Sequence, residues 1–455
     1  MRYQKKDGVP EQIELFKRRG KEIPDTERLQ TLQEKLYQKA KQEPDYKFYV
    51  LYDKTFIPYI LRMAWKQVRE NDSAAGIDRM TVEDVENYGV DKFLQELGEE
   101  LRKQTYRPKP IKRIYQTKPN GKQRPIGIGC IKDRVAQTVC KLILEPIFEA
   151  DFQDNSYGFR PGKSAEGAMK EIKEQLKKGK TEIYDADLSS YFDTIPHNKL
   201  YAVLKQRIAD PRLMRLIDKF LKTPIQDEDG LKGGKSNKVG VPQGGVISPL
   251  LANIYMNLID RAVNKATGIF SQSGIKIVRF ADDFVLMAKQ INEKAMNHLQ
   301  NLIQRMGLTI NVEKTKIINA DKISFNFLGF TIRYDKDYFG RDSRYWNIVP
   351  SKKAENKIVD NIRETLRSSL HFAPNRLADA LNSKLRGWLN YYEIPGTSYP
   401  ACSKRSIRYY LSSSLYRYYN RKSQRKSSMY RQHAFEILVN KYGLIDPTKY
   451  KSLTT

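Results

Sequence analysis

The 455-residue chain is short of the residues from which many functional scaffolds are built. It holds three cysteines, Cys130, Cys140 and Cys402, with no CxxC pair, and four scattered histidines. That excludes a disulfide framework and a structural zinc module, and leaves the cysteines as small buried hydrophobes. No apolar run reaches the ~18 residues of a membrane span, and the opening stretch MRYQKKDGVPEQIELFKRRG lacks the apolar segment of a signal peptide. A soluble, cytoplasmic protein of bacterial type, with no membrane partner, is expected. Acid is the other shortage: 53 Asp and Glu face 81 Lys and Arg, a formal +28. A surplus of that size calls for a polyanionic partner, nucleic acid first.

Along the chain, the first part reads as helical, with Leu29, Leu32, Leu36 and Tyr37, and later Phe93, Leu94, Leu97 and Leu101, at helical spacing. From Tyr106 the prolines of YRPKPIKRIYQTKPNGKQRPIGIG forbid a long helix, and Asn120-Gly121 predicts a basic hairpin. A helix through Val135, Val139 and Leu142 follows, then one that Ser164 can cap and Gly179 can end. TEIYDADLSSYFDTIPH predicts a strand that breaks at the serine pair, and KVGVPQGGVISPLL a glycine-rich loop opening a helix. Residues 275–280 and 284–288 read as the arms of a second hairpin, and short strands near LTINVEKTKII and SFNFLGFTIRY complete an α+β unit. Past Pro350 strand signals fade, and helices are expected over 351–371, 374–392 and 402–440. Charge is uneven: residues 331–455 hold 24 basic and 10 acidic side chains.

Two acids, Asp282 and Asp283, sit between the apolar arms of IVRFADDFVLMAK. Adjacent carboxylates there repel each other and are desolvated, and both effects raise their pKa values. A divalent cation offsets that, and Mg2+ is commonly held by one or two carboxylates plus substrate phosphates. One more acid from a neighbouring strand would let two ions sit ~3.5–4 Å apart and serve an in-line phosphoryl displacement. Asp187, where EIYDADL turns away, is the best candidate, with Asp185 and Asp193 as rivals. Taken singly, each acid also fits an ordinary turn.

The succession YDADLSSYFDTIPH, VPQGGVISPLLANIYM, RFADDFVLMAK, LTINVEKTKI and FNFLGF resembles the palm of reverse transcriptases encoded by group II introns. Upstream, AAGIDRMT, KPNGKQRPIGIGCIKDRVAQ and NSYGFRPGKSA resemble their fingers; downstream, KLRGWLNYY and SSLYRYYNRK resemble their thumb, the maturase X domain. The resemblance implies a right-hand polymerase of α+β class: a helical extension (1–70), fingers (71–180), palm (181–345), helical thumb (350–445) and tail (446–455). An antiparallel palm sheet packed on helices is expected.

It also implies roles. Asp187, Asp282 and Asp283 match the catalytic, Mg2+-binding carboxylates, with two ions and Mn2+ able to substitute. Lys118, Lys122 and Arg124 match fingers residues that grip the dNTP triphosphate. Phe192 matches the aromatic that excludes a ribose 2′-OH, Gln243 a residue positioning dNTP and template, and Lys314 a lysine near the departing pyrophosphate. Gly244 and Gly245 let backbone approach the template–primer, and Arg160 and Phe280 are further contacts to it. Phe280 departs from the family's tyrosine. In the thumb, Lys404, Arg405, Arg408, Arg417, Arg421 and Lys422 fall in an acid-free stretch from Ala401 to Tyr430 with six interleaved tyrosines. Such a stretch suits phosphates and unpaired bases.

The implied activity is RNA-directed DNA synthesis from a DNA or RNA primer on an RNA template, with binding of a structured intron RNA that assists splicing and retromobility. The sequence ends without paired cysteines or HNH-like histidines, so second-strand cleavage is not expected. Two other readings remain open: a domesticated relative in phage defence, CRISPR adaptation or repair, and an RNA-binding maturase without polymerase activity.

Overall fold

The computed structural model describes residues 23–71, 74–117, 121, 123–311, 313, 315–337, 343–421 and 429–451. Its strands are β1 (Ile111–Thr117), β2 (Gln123–Ile128), β3 (Glu182–Ala186), β4 (Ile225–Asp227), β5 (Gly230–Lys232), β6 (Lys276–Phe280), β7 (Asp283–Ala288), β8 (Lys316–Asn319), β9 (Phe325–Phe327), β10 (Phe330–Lys336) and β11 (Arg344–Pro350). They form three sheets, ordered β2-β1-β4-β5, β6-β7-β3-β8 and β11-β10-β9. With the helices this is a mixed α+β fold. Among the described residues no helix is long and apolar enough to cross a membrane.

The chain divides into two compact units, residues 1–164, 185–286 and 291–316 in the first and 165–184, 287–290 and 317–455 in the second. At the centre of the first lies the helix Ile131–Glu149, buried along nearly its whole length, with Ile131, Val135, Val139, Ile143 and Ile147 fully enclosed. Burial on every side, not one apolar stripe, marks it as a core helix. The helices Asp25–Gln42 and Pro58–Glu70 cover it with Leu29, Leu36, Ile60, Leu61 and Ala64. The expected basic hairpin is present, with β1 antiparallel to β2 and Gln116 opposite Arg124. Pro125 is tolerated because β2 is an edge strand, where a missing backbone donor breaks no further ladder. On its other edge β1 takes β4 in parallel, and β4 turns back into β5. That addition, and the helix Pro211–Leu221 with its Asp210 cap, had no counterpart in the expectations from sequence.

In the second unit, β10 pairs with β9 and with β11, bringing Tyr334 opposite Trp346. The helices Lys352–Ser368, Pro374–Tyr392, Ala401–Arg421 and Ala434–Tyr442 enclose a core that includes Ile362, Leu377, Leu381, Leu411, Leu415 and Leu438. The helix expected over 402–440 is thus two helices: residues 429–433 are not helical, and a new helix begins at Ala434.

Candidate active site

The two acids of FADD stand at the end of an apolar hairpin. β6 ends at Phe280, Ala281 and Asp282 make the turn, and Asp283 opens β7, whose residues Phe284 to Ala288 are fully buried. Ala281 adopts φ +58°, a conformation costly for a residue with a Cβ, so something must hold it. Arg279 does. Its guanidinium, fully buried, donates to the Ala281 carbonyl at 2.6 Å, to Asn253 Oδ1 at 2.9 Å, to Ser156 Oγ at 2.6 Å and to both oxygens of the fully buried Asp260 at 2.6–3.0 Å. The segment 155–158 braces the other side: Tyr157 N donates to the Arg279 carbonyl and Arg279 N to that of Asn155, each at 2.9 Å. Gly158 lies so close that a Cβ would meet Ala281 N at 2.4 Å. The motif NSYGF therefore acts as a buttress of the acidic turn.

Asp187 follows β3, the neighbour of β7. Its backbone carbonyl accepts from Asn311 N at 2.8 Å and its Oδ2 from Asn311 Nδ2 at 3.1 Å, which fixes where the carboxylate stands. Burial pushes the Asp282 carboxyl above its ordinary range; the Asp187 charge adds to the rise, and the Arg124 and Arg279 cations oppose it. Asp185 is likewise raised, by burial first, with Lys316 opposing and Asp187 adding. The charges of Asp187 and Arg124 thus both act on the Asp282 carboxyl, a grouping the sequence had only suggested by order. Among the described residues, no group of three or more His, Cys, Asp or Glu side chains is gathered closely enough to hold a metal ion. The donor set still fits a hard divalent cation: carboxylate oxygens, no thiol, and a carboxyl whose ionised form needs added positive charge.

Beside the acids, Gly127 N donates to the Gln243 carbonyl at 2.7 Å, joining β2 to the PQGG loop. Gly244 has φ +98°, and a Cβ there would meet the Gly127 carbonyl at 2.2 Å. At Gly245 a Cβ would meet Ser248 Oγ at 2.6 Å. Gly244 is required by the close approach of the chain's own backbone, a reason the sequence did not disclose, whereas at Gly245 the near atom ends a serine side chain. The Gln243 amide donates to Asp193 at 3.0 Å, and with Arg113 these two side chains line a cavity of ≈ 200 Å³. Burial raises the Asp193 carboxyl, against Arg113 and Gln243. Phe192 is half-buried, edge-to-face with Tyr191 at 5.6 Å, and its carbonyl accepts from Val241 N at 2.6 Å. Phe280 lies 6.4 Å from the exposed ring of Phe159.

Two family models match the chain: "Reverse transcriptase (RNA-dependent DNA polymerase)" over residues 116–332 and "Group II intron, maturase-specific domain" over 355–435. The chain belongs to the group II intron reverse transcriptase/maturase family. Its reverse-transcriptase part is thus of the RNA-directed DNA polymerase type. Similar proteins include "Protein YkfC" of Escherichia coli (35% identity, covering 58% of this chain and 77% of that one). The "Group II intron-encoded protein LtrA" of Lactococcus lactis subsp. cremoris is 34% identical over 50% of this chain and 38% of its own. The "Uncharacterized 91 kDa protein in cob intron" of Schizosaccharomyces pombe is 28% identical over 67% of this chain and 45% of its own. The chain thus spans less than half the length of the last two.

Within the maturase-specific part, the expected cations separate. Arg405, Arg417 and Arg421 are exposed, and among the described residues none has an acidic partner. Tyr409 and Tyr416 are exposed beside them, while Tyr418 and Tyr419 pack the core. Lys404 requires correction: it is buried, donating to Glu393 at 2.6 Å and to the Tyr450 carbonyl at 2.9 Å, and so is a structural tie, not a contact to nucleic acid. Arg408 is half-committed, to Asp446 at 3.2 Å and over the Phe435 ring. Arg160 is corrected on the same ground. Its guanidinium is buried against Glu149 at 2.6 Å, donates to the Gln153 and Ser156 carbonyls, and stacks on Phe152, leaving nothing for a template. Lys118, Lys122, Lys314 and Lys422 lie outside the described residues. Arg279 and Asp260 were missed, although part of a signal was present: Arg279 is a lone cation inside the apolar run IVRFA, which implies a buried acidic partner, while Asp260, followed directly by Arg261, carries no such mark.

Proposed function

We propose that this chain is an RNA-directed DNA polymerase of the right-hand type, with residues 71–180 as fingers, 181–345 as palm and 350–445 as thumb. It extends a primer 3′-OH with dNTPs on an RNA template. The observation that carries the reading is that Asp187 and Asp282 stand at the ends of the adjacent strands β3 and β7, where the Asp282 carboxyl feels both the Asp187 charge and that of Arg124 on the β1–β2 hairpin. The primer 3′-oxygen attacks the α-phosphorus of the dNTP, and the bond to the pyrophosphate oxygen breaks. Asp187, Asp282 and Asp283 would hold two divalent cations, Mg2+ by their hard oxygen donors, which when bound supply charge to the attacking and leaving oxygens.

The remaining work falls to the chain. Arg124 neutralises the triphosphate as negative charge moves onto pyrophosphate. Phe192 presents a flat ring where a ribose 2′-OH would sit, and Gln243, fixed by Asp193, orients nucleotide against template. Arg279 holds the Ala281 carbonyl, so both acids keep one position through the cycle. The exposed Arg405, Arg417 and Arg421 bind phosphates of a structured RNA, intron RNA foremost given the maturase-specific match.

Primer extension on an RNA template with Mg2+ tests this. Wild type extends the primer and Asp282→Ala does not; a wild type that adds no nucleotide, or a variant that adds them equally well, sinks the assignment.

A further inference from the structure

The second unit contains a recess unconnected with any residue assigned above. It has a volume of ≈ 620 Å³, within the ~300–1,000 Å³ usual for small-ligand pockets, and is lined by the helix Ala165–Lys177, the β10–β11 pair and the loop at Gly396 to Tyr399. Its lining mixes charged and polar groups with the aromatic side chains of Tyr334, Tyr345, Trp346 and Tyr399. Tyr345 and Tyr399 meet edge-to-face at 5.7 Å, and Tyr334 lies 4.6 Å from Trp346.

Two features separate this recess from ordinary packing. Tyr399 is 45% exposed yet rigidly held, since the buried Lys173 donates to its hydroxyl at 3.1 Å and lies 4.7 Å from its ring centroid. The same ammonium donates to the Gly396 and Thr397 carbonyls at 2.9 and 3.1 Å, and Tyr399 N donates to the Ile348 carbonyl at 2.8 Å. A ring left open to solvent but fixed in position is a ready stacking surface, because little entropy remains to be lost on binding. The rim also carries two exposed cations, Lys177 and Arg344, neither of them in a close ion pair among the described residues. The neighbouring Glu174 is hydrogen-bonded to Lys178 at 2.6 Å, and the Lys177 charge acts on it only as a smaller, longer-range influence. Arg344 lies over the Tyr334 ring at 5.8 Å, so charge and aromatic face are presented together. Asp321, exposed at the same rim, adds an acceptor suited to an amino or hydroxyl group.

We propose that this recess takes one unpaired nucleotide of a single strand: the base against Tyr399 and Tyr345, its phosphate at Lys177 and Arg344, and an amino or hydroxyl group at Asp321. Aromatic rings accept any base face, and cations at the rim neutralise the backbone. The inference deepens the nucleic-acid reading above but uses none of its residues. It gives the protein a second hold on the strand that takes no part in chemistry.

Photocrosslinking tests it, with short single-stranded RNA and DNA oligonucleotides carrying 6-thioguanine and the full-length protein. Labelling is expected on Tyr345, Tyr399 or their immediate neighbours, and labelling by RNA alone or by both strands identifies the source. K177E/R344E should lower it roughly tenfold, and extension of a pre-annealed primer–template should stay within about twofold of wild type, since these cations touch no reacting group. Y399F should retain labelling and Y399L should lose it, which separates the ring's stacking from its hydroxyl's bond to Lys173. Labelling absent from both segments with both strands, or unchanged in K177E/R344E, overturns the proposal. Wild-type extension without labelling fails this site and leaves the polymerase reading intact; labelling without extension does the reverse.

Discussion

Arginine is used in opposite ways around the FADD turn and along the helix Ala401–Arg421. At the turn, Arg279 is fully buried, bonded through all its nitrogens, and matched to a buried acid. On the helix, Arg405, Arg417 and Arg421 stand in solvent with no acidic partner among the described residues. The first kind spends its charge on geometry and the second keeps it for a phosphate. Lys404 and Arg160 belong with the first kind although their motif positions had placed them with the second. A basic residue in a nucleic-acid-binding protein is therefore assigned by what already occupies its donors.

The largest effect should come from breaking the buried pair. Arg279→Met leaves Asp260 charged and unpaired, which costs ~3–5 kcal/mol, and should lower the midpoint of thermal unfolding together with primer extension. Pairing it with Asp260→Leu should recover much of the stability and little of the activity, because the Ala281 carbonyl remains without its donor. Recovery of both in the double variant would show that Arg279 serves stability alone.

Glycines give the next contrast. Gly244→Ala forces a Cβ onto the Gly127 carbonyl at φ +98°, and should cost about 1–3 kcal/mol with a fall in extension rate. Gly387, within the helix Pro374–Tyr392, has nothing within 4 Å of a built Cβ, and its change to alanine should stabilise by up to ~1 kcal/mol. Chemical denaturation of both variants checks the pair.

The smallest effect on folding should come from the exposed cations. R417E/R421E should leave stability within about ±0.5 kcal/mol, yet weaken RNA binding and reduce the slope of log affinity against log salt by roughly one for each phosphate no longer neutralised. A titration across salt concentrations measures it. An unchanged slope would move those arginines out of the RNA path.

Much of this arrangement was legible because it is local. Prolines and Asn120-Gly121 announce the β1–β2 hairpin, and apolar arms around two acids announce β6 and β7. What escaped was set by partners that no local pattern marks, whether near or far in the chain. β4 is three residues whose place beside β1 depends on chain more than a hundred residues earlier. Arg344 and Asn347 mask β11 as polar, though Trp346, Asn347 and Ile348 are buried in the sheet. Arg160 looked free because its acceptors, Glu149, Gln153 and Ser156, carry no periodic signal. The acids at 187, 282 and 283 could be named, but that the Asp187 charge acts on Asp282 needed β3 and β7 side by side.

The central claim is that the three aspartates perform chemistry while separate cations bind. Single-nucleotide incorporation under single-turnover conditions, with saturating RNA template, primer and dNTP, tests it most directly in Asp187→Asn and wild type. The account predicts a loss of roughly a thousandfold or more in the incorporation rate, of the size expected when transition-state charge loses its support, with template affinity within about twofold of wild type. Incorporation at the wild-type rate, or a loss explained wholly by weaker template binding, would contradict it.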